Sequence, residues 1–182
     1  MFSIALGGVC SGINLSPGSS CQLIPASSTR RREVIESLLG QVKSAIVGAD
    51  GGLISNLSVR ENIALPAQYH SVGSEADRAS RLTELTQHFG EDGAALRALD
   101  YAQPARLSLL QRRLAGFLRA MLLEPELMVF DSLLEGVSRA NAATLREFKR
   151  VFHLYFPFRH VVFVNFAEDP LLRGLVEHTY HV

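Results

Sequence analysis

The sequence predicts an α/β fold with a core of parallel strands and a helical insertion. Three observations predict it: short, continuously apolar runs of the kind that parallel sheets bury on both faces, apolar stripes at helical spacing between those runs, and a more polar helical stretch at about residues 75–104. The predicted core strands are residues 22–24, 44–47, 127–130 and 161–164. A chain of 182 residues can bury one sizeable core, so residues 1–182 are predicted to form a single domain.

Composition is that of an ordinary globular chain and argues against several classes of function. Hydrophobic residues make up 47% and charged residues 20%, and there are 18 basic and 18 acidic side chains, so no global field favours nucleic acid or an anionic membrane. Cys10 and Cys21 lack metal-ligand spacing and are too few for a disulfide framework, which predicts a reduced, cytoplasmic setting. The apolar start lacks a basic region, so we expect no export signal. No run reaches the roughly 20 apolar residues that span a bilayer, so any membrane role would be peripheral.

Two short strands are predicted around the turn at residues 16–19, and a helix follows at residues 34–39, with Gly40 as its end. Its candidate N-cap residues are Ser27, Ser28 and Thr29. The arginines at 30–32 favour a solvated basic turn. The alternative is an anion site, because the helix dipole and the guanidinium groups would attract the same ligand.

The middle of the chain predicts a loop and then three helical segments. Ser58 begins the first helix as its N-cap, and Glu61 completes a capping box. A polar-faced helix follows over residues 74–90, with Gly90 as its C-cap. A second helical piece, residues 93–99, completes the insertion.

Residues 107–138 carry the most informative pattern. Apolar residues recur at spacings of three and four, which predicts an amphipathic helix: they are Leu107, Leu110, Leu114, Phe117, Leu118 and Met121. Pro125 ends this helix, and the strand 127–130 places Asp131 at its carboxyl end, where open α/β sheets bind ligands. A last buried strand is predicted at 160–164, followed by a short helix at 173–177 and a terminal strand at 179–182.

The order of these features resembles a known family. LSLLQ at 107–111, an arginine-containing helix, Glu124-Pro125-Glu126, an apolar strand and Asp131 match without a gap the signature helix and Walker B strand of ABC-transporter ATPases. The pattern ENIALP..YH at 61–70 is similar to ATPases of the Mla/Mce lipid-transport branch. This resemblance covers most of the chain and implies a P-loop NTPase-like (ABC ATPase) parallel sheet core, a helical subdomain and a reduced antiparallel β subdomain.

The resemblance implies four candidate nucleotide-binding residues. Asp131 keeps the Walker B carboxylate and is also the candidate magnesium ligand. Arg31 stands at the lysine position of the phosphate loop. Ser108 and Gln111 occupy the polar positions of the signature motif.

Most other residues that the family's chemistry requires are replaced. Pro25 and Arg30 stand at glycine positions of the phosphate loop, and Leu109 and Leu110 at the signature glycines. Ser132 stands where the general-base glutamate belongs, and a hydroxyl cannot accept a proton from water at neutral pH.

Three further family positions are also changed. Ala49 replaces the Q-loop glutamine, Ser138 the D-loop aspartate, and residues 165–167 hold no switch histidine. We therefore predict no catalytic residue and no cofactor, with ATP and magnesium bound only if residual binding survives.

The resemblance also implies a partner surface, because the segment after the Q-loop borders the groove that receives a permease's coupling helix. The candidate contact residues are Leu53, Ile54, Asn56, Leu57, Glu61 and Asn62. The leading hypothesis is a degenerate ABC ATPase-like subunit of a lipid-transport system, on the inner face of the cytoplasmic membrane, with a structural or regulatory role. Its partners would be an ABC permease and either a second copy or an intact ATPase subunit. The alternatives are the ATP-binding half of an asymmetric ATPase pair and a free-standing interaction module.

Overall fold

Seven strands form two sheets in the computed structural model, which describes residues 2–4 and 12–182. The prediction for Cys10 lies outside these residues. The strands are β1 (Phe2–Ile4), β2 (Ile13–Leu15), β3 (Ser20–Ile24), β4 (Ser44–Val47), β5 (Leu127–Asp131), β6 (His160–Val164) and β7 (His178–His181). β1 and β2 pair antiparallel, and the others form a sheet in the order β4-β5-β6-β3-β7 with every pair parallel. The predicted parallel core and small antiparallel sheet are confirmed.

The main sheet is buried on both faces, which explains its continuously apolar strands. Side chains alternate along β5, so Phe130 packs in one core and Val129 in the other. The pairing of Asp131 with Val164 brings the carboxyl ends of β5 and β6 to one edge. This edge is where open α/β sheets place ligands.

Six α-helices occur in the described part of the chain. They are α1 (Ser28–Gln41), α2 (Val59–Tyr69), α3 (Glu75–Gln87), α4 (Gly90–Arg97), α5 (Leu109–Leu122) and α6 (Arg139–Tyr155), with 3-10 turns at Pro104–Arg106 and Pro170–Leu172. α2, α5 and α6 cover one face of the sheet and α1 the other. No helix among the described residues is both long and apolar enough to cross a bilayer.

An aromatic cluster joins α5 and α6 to the sheet. Phe117 stacks on Phe148 with ring centroids 4.3 Å apart, and Phe89 meets both rings edge-on. Phe130 and Phe163 extend the cluster along the sheet, 5.0 Å apart. The apolar stripe predicted for α5 is therefore the centre of the larger core.

Several helix starts agree with the sequence. Ser27 is the N-cap of α1, and its side chain accepts a hydrogen bond from the Arg30 N–H. Ser58 and Glu61 form the predicted capping box of α2. These side chains satisfy backbone N–H groups that a helix start leaves without intrahelical partners.

Two predicted helix ends and one predicted helix are wrong. α1 continues through Gly40 and ends one residue later, at Gln41, because Gly40 does not adopt the positive φ of a helix-ending glycine. α3 ends at Gln87, and Gly90, at φ +51°, opens α4 instead of capping α3. Residues 173–177 form no helix, since the turn lies earlier, at Pro170–Leu172, where Asp169 caps it and proline fits a first helical position.

Candidate functional site

Asp131, at the carboxyl end of β5, is bound by an arginine of the same chain. Arg31 donates from Nε and Nη2 to Asp131 Oδ1, at 2.8 and 2.5 Å, and its Nη2 lies 3.4 Å from Ser132 Oγ. The guanidinium also lies over Phe166, 5.2 Å from the ring centroid. Only 13% of the Asp131 side chain and 27% of the Arg31 side chain are exposed. The cation that neutralises this carboxylate therefore comes from the protein itself.

Two opposing effects act on the pKa of Asp131. Burial raises it, and the hydrogen bonds and positive charge of Arg31 lower it. The charges of Glu135 and Asp50 add to the increase, so the pKa of Asp131 lies above its ordinary value. Without the ion pair, this partly buried carboxylate would bind a proton more readily; Arg31 therefore favours its charged form.

The segment at the phosphate-loop position is short and soon becomes helical. Only residues 25–27 separate β3 from α1. Ser27 uses its Oγ to accept from the Arg30 N–H at 3.1 Å and its carbonyl to accept from the Arg31 N–H at 2.8 Å. Pro25 has no N–H to offer. The loop therefore does not present the run of free backbone N–H groups that cradles a polyphosphate.

The two polar signature candidates are paired with each other at the start of α5. Ser108 Oγ accepts from the Gln111 N–H at 3.2 Å, and Gln111 Oε1 accepts from the Ser108 N–H at 2.9 Å. Leu110 is buried in the core, and Leu109 faces Gly136. The residues at the signature-glycine positions thus serve packing, and the structure does not bring Ser108 and Gln111 into hydrogen-bond contact with Asp131 within the described residues.

A cavity of about 270 Å³ borders the Arg31–Asp131 pair. Its lining residues are Ser132, Glu135, Asn165, Phe166, Ala167, Glu168, Asp169 and Pro170. Ser132 is buried and holds a left-handed backbone, at φ +52°, an unusual conformation for a residue other than glycine. The lining contains three carboxylates and no lysine or arginine. Like-charge repulsion therefore makes this cavity unfavourable for the phosphates of a nucleotide.

These residues do not fit magnesium and ATP in the manner that the resemblance implies. Asp131 Oδ1 already accepts two hydrogen bonds from Arg31. Among residues 2–4 and 12–182, no group of three or more His, Cys, Asp or Glu side chains is placed to hold a metal ion. A divalent cation at Oδ1 would have to compete with this charge-assisted pair.

Asn62, one of the six predicted partner-contact residues, is 1% exposed. Its Oδ1 accepts from the Ile54 N–H at 2.6 Å, and its Nδ2 donates to the carbonyls of Ile54, Leu57 and Ser58. The prediction that Asn62 contacts a partner is therefore wrong. Asn62 is buried, and its hydrogen bonds stabilise the preceding loop.

The other predicted contact residues lie in or beside that loop. Ile54 and Asn56 are exposed, and Leu53 and Leu57 are half-buried. Glu61 is exposed, and its pKa is lowered because its carboxylate accepts from the Ser58 hydroxyl and N–H. Ile54, which is 44% exposed, is the most exposed apolar side chain among them.

Sequence reasoning missed Arg113, which is 1% exposed in the middle of α5. Its Nε donates to the Ala49 carbonyl and its Nη2 to the Glu135 carbonyl, both at 2.6 Å. Burial lowers the pKa of Arg113. A signal was present, because position 113 lies on the apolar stripe between Leu110 and Phe117, where a charged residue needs an internal partner.

A parallel sheet in the order β4-β5-β6-β3-β7, a helix directly after β3 and an aspartate at the end of β5 characterise the fold of this chain. Solved structures with this fold are similar to the chain. One is CbiO1 from Clostridium perfringens, part of the ABC transporter complex cbiONQ, with a TM-score of 0.69 and 12% identity over 93% of this chain and 75% of that chain.

Two further structures are of the ABC transporter cassette MJ0796. The dimer in a post-hydrolysis state with ADP and phosphate gives a TM-score of 0.70 at 18% identity, and a second dimeric structure gives 0.71 at 17%. Each alignment covers 94% of this chain and 84% of that chain. No protein-family model and no curated protein matches the sequence. The similarity is therefore one of fold.

Proposed function

We propose that this chain is a degenerate ABC ATPase-like subunit of a membrane transport system, which docks on a permease and has a structural or regulatory role with little or no ATP hydrolysis. One observation carries the proposal: Arg31 binds Asp131 at the edge of the sheet where the family's metal and nucleotide would meet. The protein thereby stabilises this site internally, without a ligand.

The chemistry around the pair supports this proposal. Hydrolysis requires a group that orients and deprotonates water, and Ser132 is a buried hydroxyl at that position. The phosphates would also need compensating charge, but the adjoining cavity carries Glu135, Glu168 and Asp169. Neither binding nor turnover of ATP is favoured by these residues.

The loop before α2 supports docking as the retained activity. Asn62 holds its backbone through four hydrogen bonds, and the exposed Ile54 and Asn56 lie on the part that it holds. A rigid loop with an exposed aliphatic residue is suited to contact an apolar face of a partner helix. The similarity of ENIALP..YH to the Mla/Mce branch makes a lipid-transport permease the first partner to test.

Turnover is tested by comparing ATP hydrolysis by the purified chain with that by its Asp131→Ala variant. The proposal expects equal rates at background level. Hydrolysis that Asp131→Ala abolishes would overturn it. Activity that arises only after mixing with an intact ATPase subunit would instead favour the asymmetric pair, and the same mixture tests whether the chain pairs with such a subunit or with itself.

Docking is tested by co-expressing the chain with a permease of the Mla/Mce lipid-transport branch, isolating the membranes and measuring how much chain they retain. Ile54→Glu should release the chain, because it places a charge in the contact. Leu154→Glu on α6 is the matched control, since that leucine is 58% exposed against 44% for Ile54. Equal retention of both variants, or no retention of the unchanged chain, would contradict docking through this loop.

A further inference from the structure

Arg113 connects two loops that lie far apart in the sequence. One is loop 48–57, which contains the proposed docking residues, and the other is loop 132–138, which follows Asp131. Arg113 donates to the Ala49 carbonyl in the first loop and to the Glu135 carbonyl in the second. One side chain thus joins the docking loop to the edge of the cavity beside Asp131.

Burial of this guanidinium costs desolvation free energy, which the hydrogen bonds to the two carbonyls offset. Arg113 is among the largest fully buried side chains, and its Nη1 is buried without a hydrogen-bond partner among the described residues. The charges of Glu135 and Asp50 partly offset the effect of burial on its pKa, but no carboxylate in the described part of the chain forms a salt bridge with it. An apolar side chain at this position of the stripe would avoid the desolvation of a charge.

Loop 48–57 lies directly against α5, so displacement of the loop must act on that helix. A Cβ atom at Gly116 would come within 2.5 Å of the Gly51 carbonyl oxygen, and Gly51, at φ +82°, leaves no room for one against the Arg112 carbonyl. Arg119 donates to the carbonyls of Gly51 and Gly52, at 3.1 and 2.7 Å. Arg119 therefore holds only the first loop, whereas Arg113 holds both.

We infer that Arg113 is a positioning residue that makes loop 48–57 and loop 132–138 respond as one unit. A change in the docking loop is thereby passed to the segment that lines the cavity beside Asp131. The linkage is a property of the isolated chain. Only its use, the transmission of permease docking to that cavity, rests on the proposed function.

The test is hydrogen exchange of single amides in the isolated chain after a surface change in the first loop. Asp50 is exposed, and its Oδ1 accepts from the Gly52 N–H at 2.9 Å. Asp50→Ala removes this hydrogen bond, which should speed exchange in loop 48–57 by about threefold to tenfold. The inference expects a rise of similar size at the amides of Ser132 and Glu135 in the other loop, whose hydrogen bonds are internal to the protein.

Matched variants separate the linkage from other causes. Asp50→Asn removes the same charge but keeps an acceptor, so it should leave loop 132–138 unchanged. In an Arg113→Met background, Asp50→Ala should act only on loop 48–57, whereas in an Arg119→Met background it should still act on both. Confinement of the Asp50→Ala effect to the first loop in the otherwise unchanged chain overturns the inference without any Arg113 variant. The inference is also overturned if Asp50→Ala still speeds amide exchange in both loops when Arg113 is replaced by methionine.

Discussion

Replacing Arg31 by methionine should destabilise the fold through Asp131. Methionine keeps an apolar stem but removes both hydrogen bonds to the carboxylate and the contact with Phe166. Exposed ion pairs contribute about 0.2–1 kcal/mol, and breaking a buried pair costs about 3–5 kcal/mol. The pair is largely shielded but not fully buried, so we expect a loss of about 2 kcal/mol in the free energy of unfolding, between these limits.

The loss should depend on pH, with a definite sign. Burial raises the pKa of Asp131 in the folded protein, and Arg31→Met removes the residue that lowers it. The folded variant then binds a proton at pH values where the unfolded chain does not, so its stability falls as pH rises from the ordinary carboxyl pKa to the folded one. The cost of the substitution should be full near neutral pH and should shrink as pH falls to about 4.

Urea denaturation at several pH values measures both effects. For a domain of this size, each kcal/mol lowers Tm by about 2–4 °C, so thermal unfolding gives a second reading. Arg32→Met is the matched control. Arg32 is the next residue and is exposed, so its replacement should change the free energy of unfolding by no more than about 0.5 kcal/mol. Asp131→Asn should abolish most of the Arg31→Met effect in a double-mutant cycle. Equal costs for the two arginine variants, or a cost that does not vary with pH, would refute the reasoning.

Three further predictions concern the scaffold. Asn62→Ala should lower the free energy of unfolding by about 2–3 kcal/mol, because it leaves buried backbone groups of the preceding loop without partners; Asn56→Ala, at an exposed position, should have little effect in the same urea titration. Phe117→Ala should cost about 3–5 kcal/mol by opening a cavity in the aromatic cluster, whereas Phe158→Ala, on the surface, should leave the unfolding midpoint nearly unchanged. Burial raises the pKa of Cys21 to about 12, so in a chain whose other cysteine is replaced by serine, a thiol reagent should label Cys21 only as fast as the protein unfolds; rapid labelling in the native state would contradict its burial.

The apolar strands and the capped helix starts followed from local physics. Leu127 to Phe130 form a strand because both faces of β5 are covered, a condition that their composition already reveals. Ser58 and Glu61 form a capping box because their spacing places each side chain beside the other's backbone N–H. Elements of this kind depend on a few neighbouring residues, and their existence was predictable.

The helix ends depended on interactions that spacing does not encode. Gly40 stays helical and Gly90 does not end α3, although both glycines carry the same local signal. The prediction for residues 173–177 failed because Asp169 and Pro170 begin a turn before them. A glycine marks where a helix can end, and the packing of the next segment decides whether it does.

The main contact within the candidate site was not foreseen from the sequence. The resemblance placed Arg31 and Asp131 at the same edge, but separate motif positions do not reveal that the two side chains bind each other. Arg113 was missed for the same reason, because its partners are the carbonyls of Ala49 and Glu135. A sequence motif does not show which backbone carbonyls a side chain will contact, because only the three-dimensional fold brings the side chain and the carbonyls together.

The most direct test of the central claim is calorimetric titration of ATP with magnesium into the purified chain, with Asp131→Ala as the control. The Arg31–Asp131 pair and the acidic cavity predict no saturable heat at millimolar ATP in either protein. Saturable binding that Asp131→Ala abolishes would contradict the account, because it would show that the nucleotide displaces Arg31 and that the site still recognises its ligand.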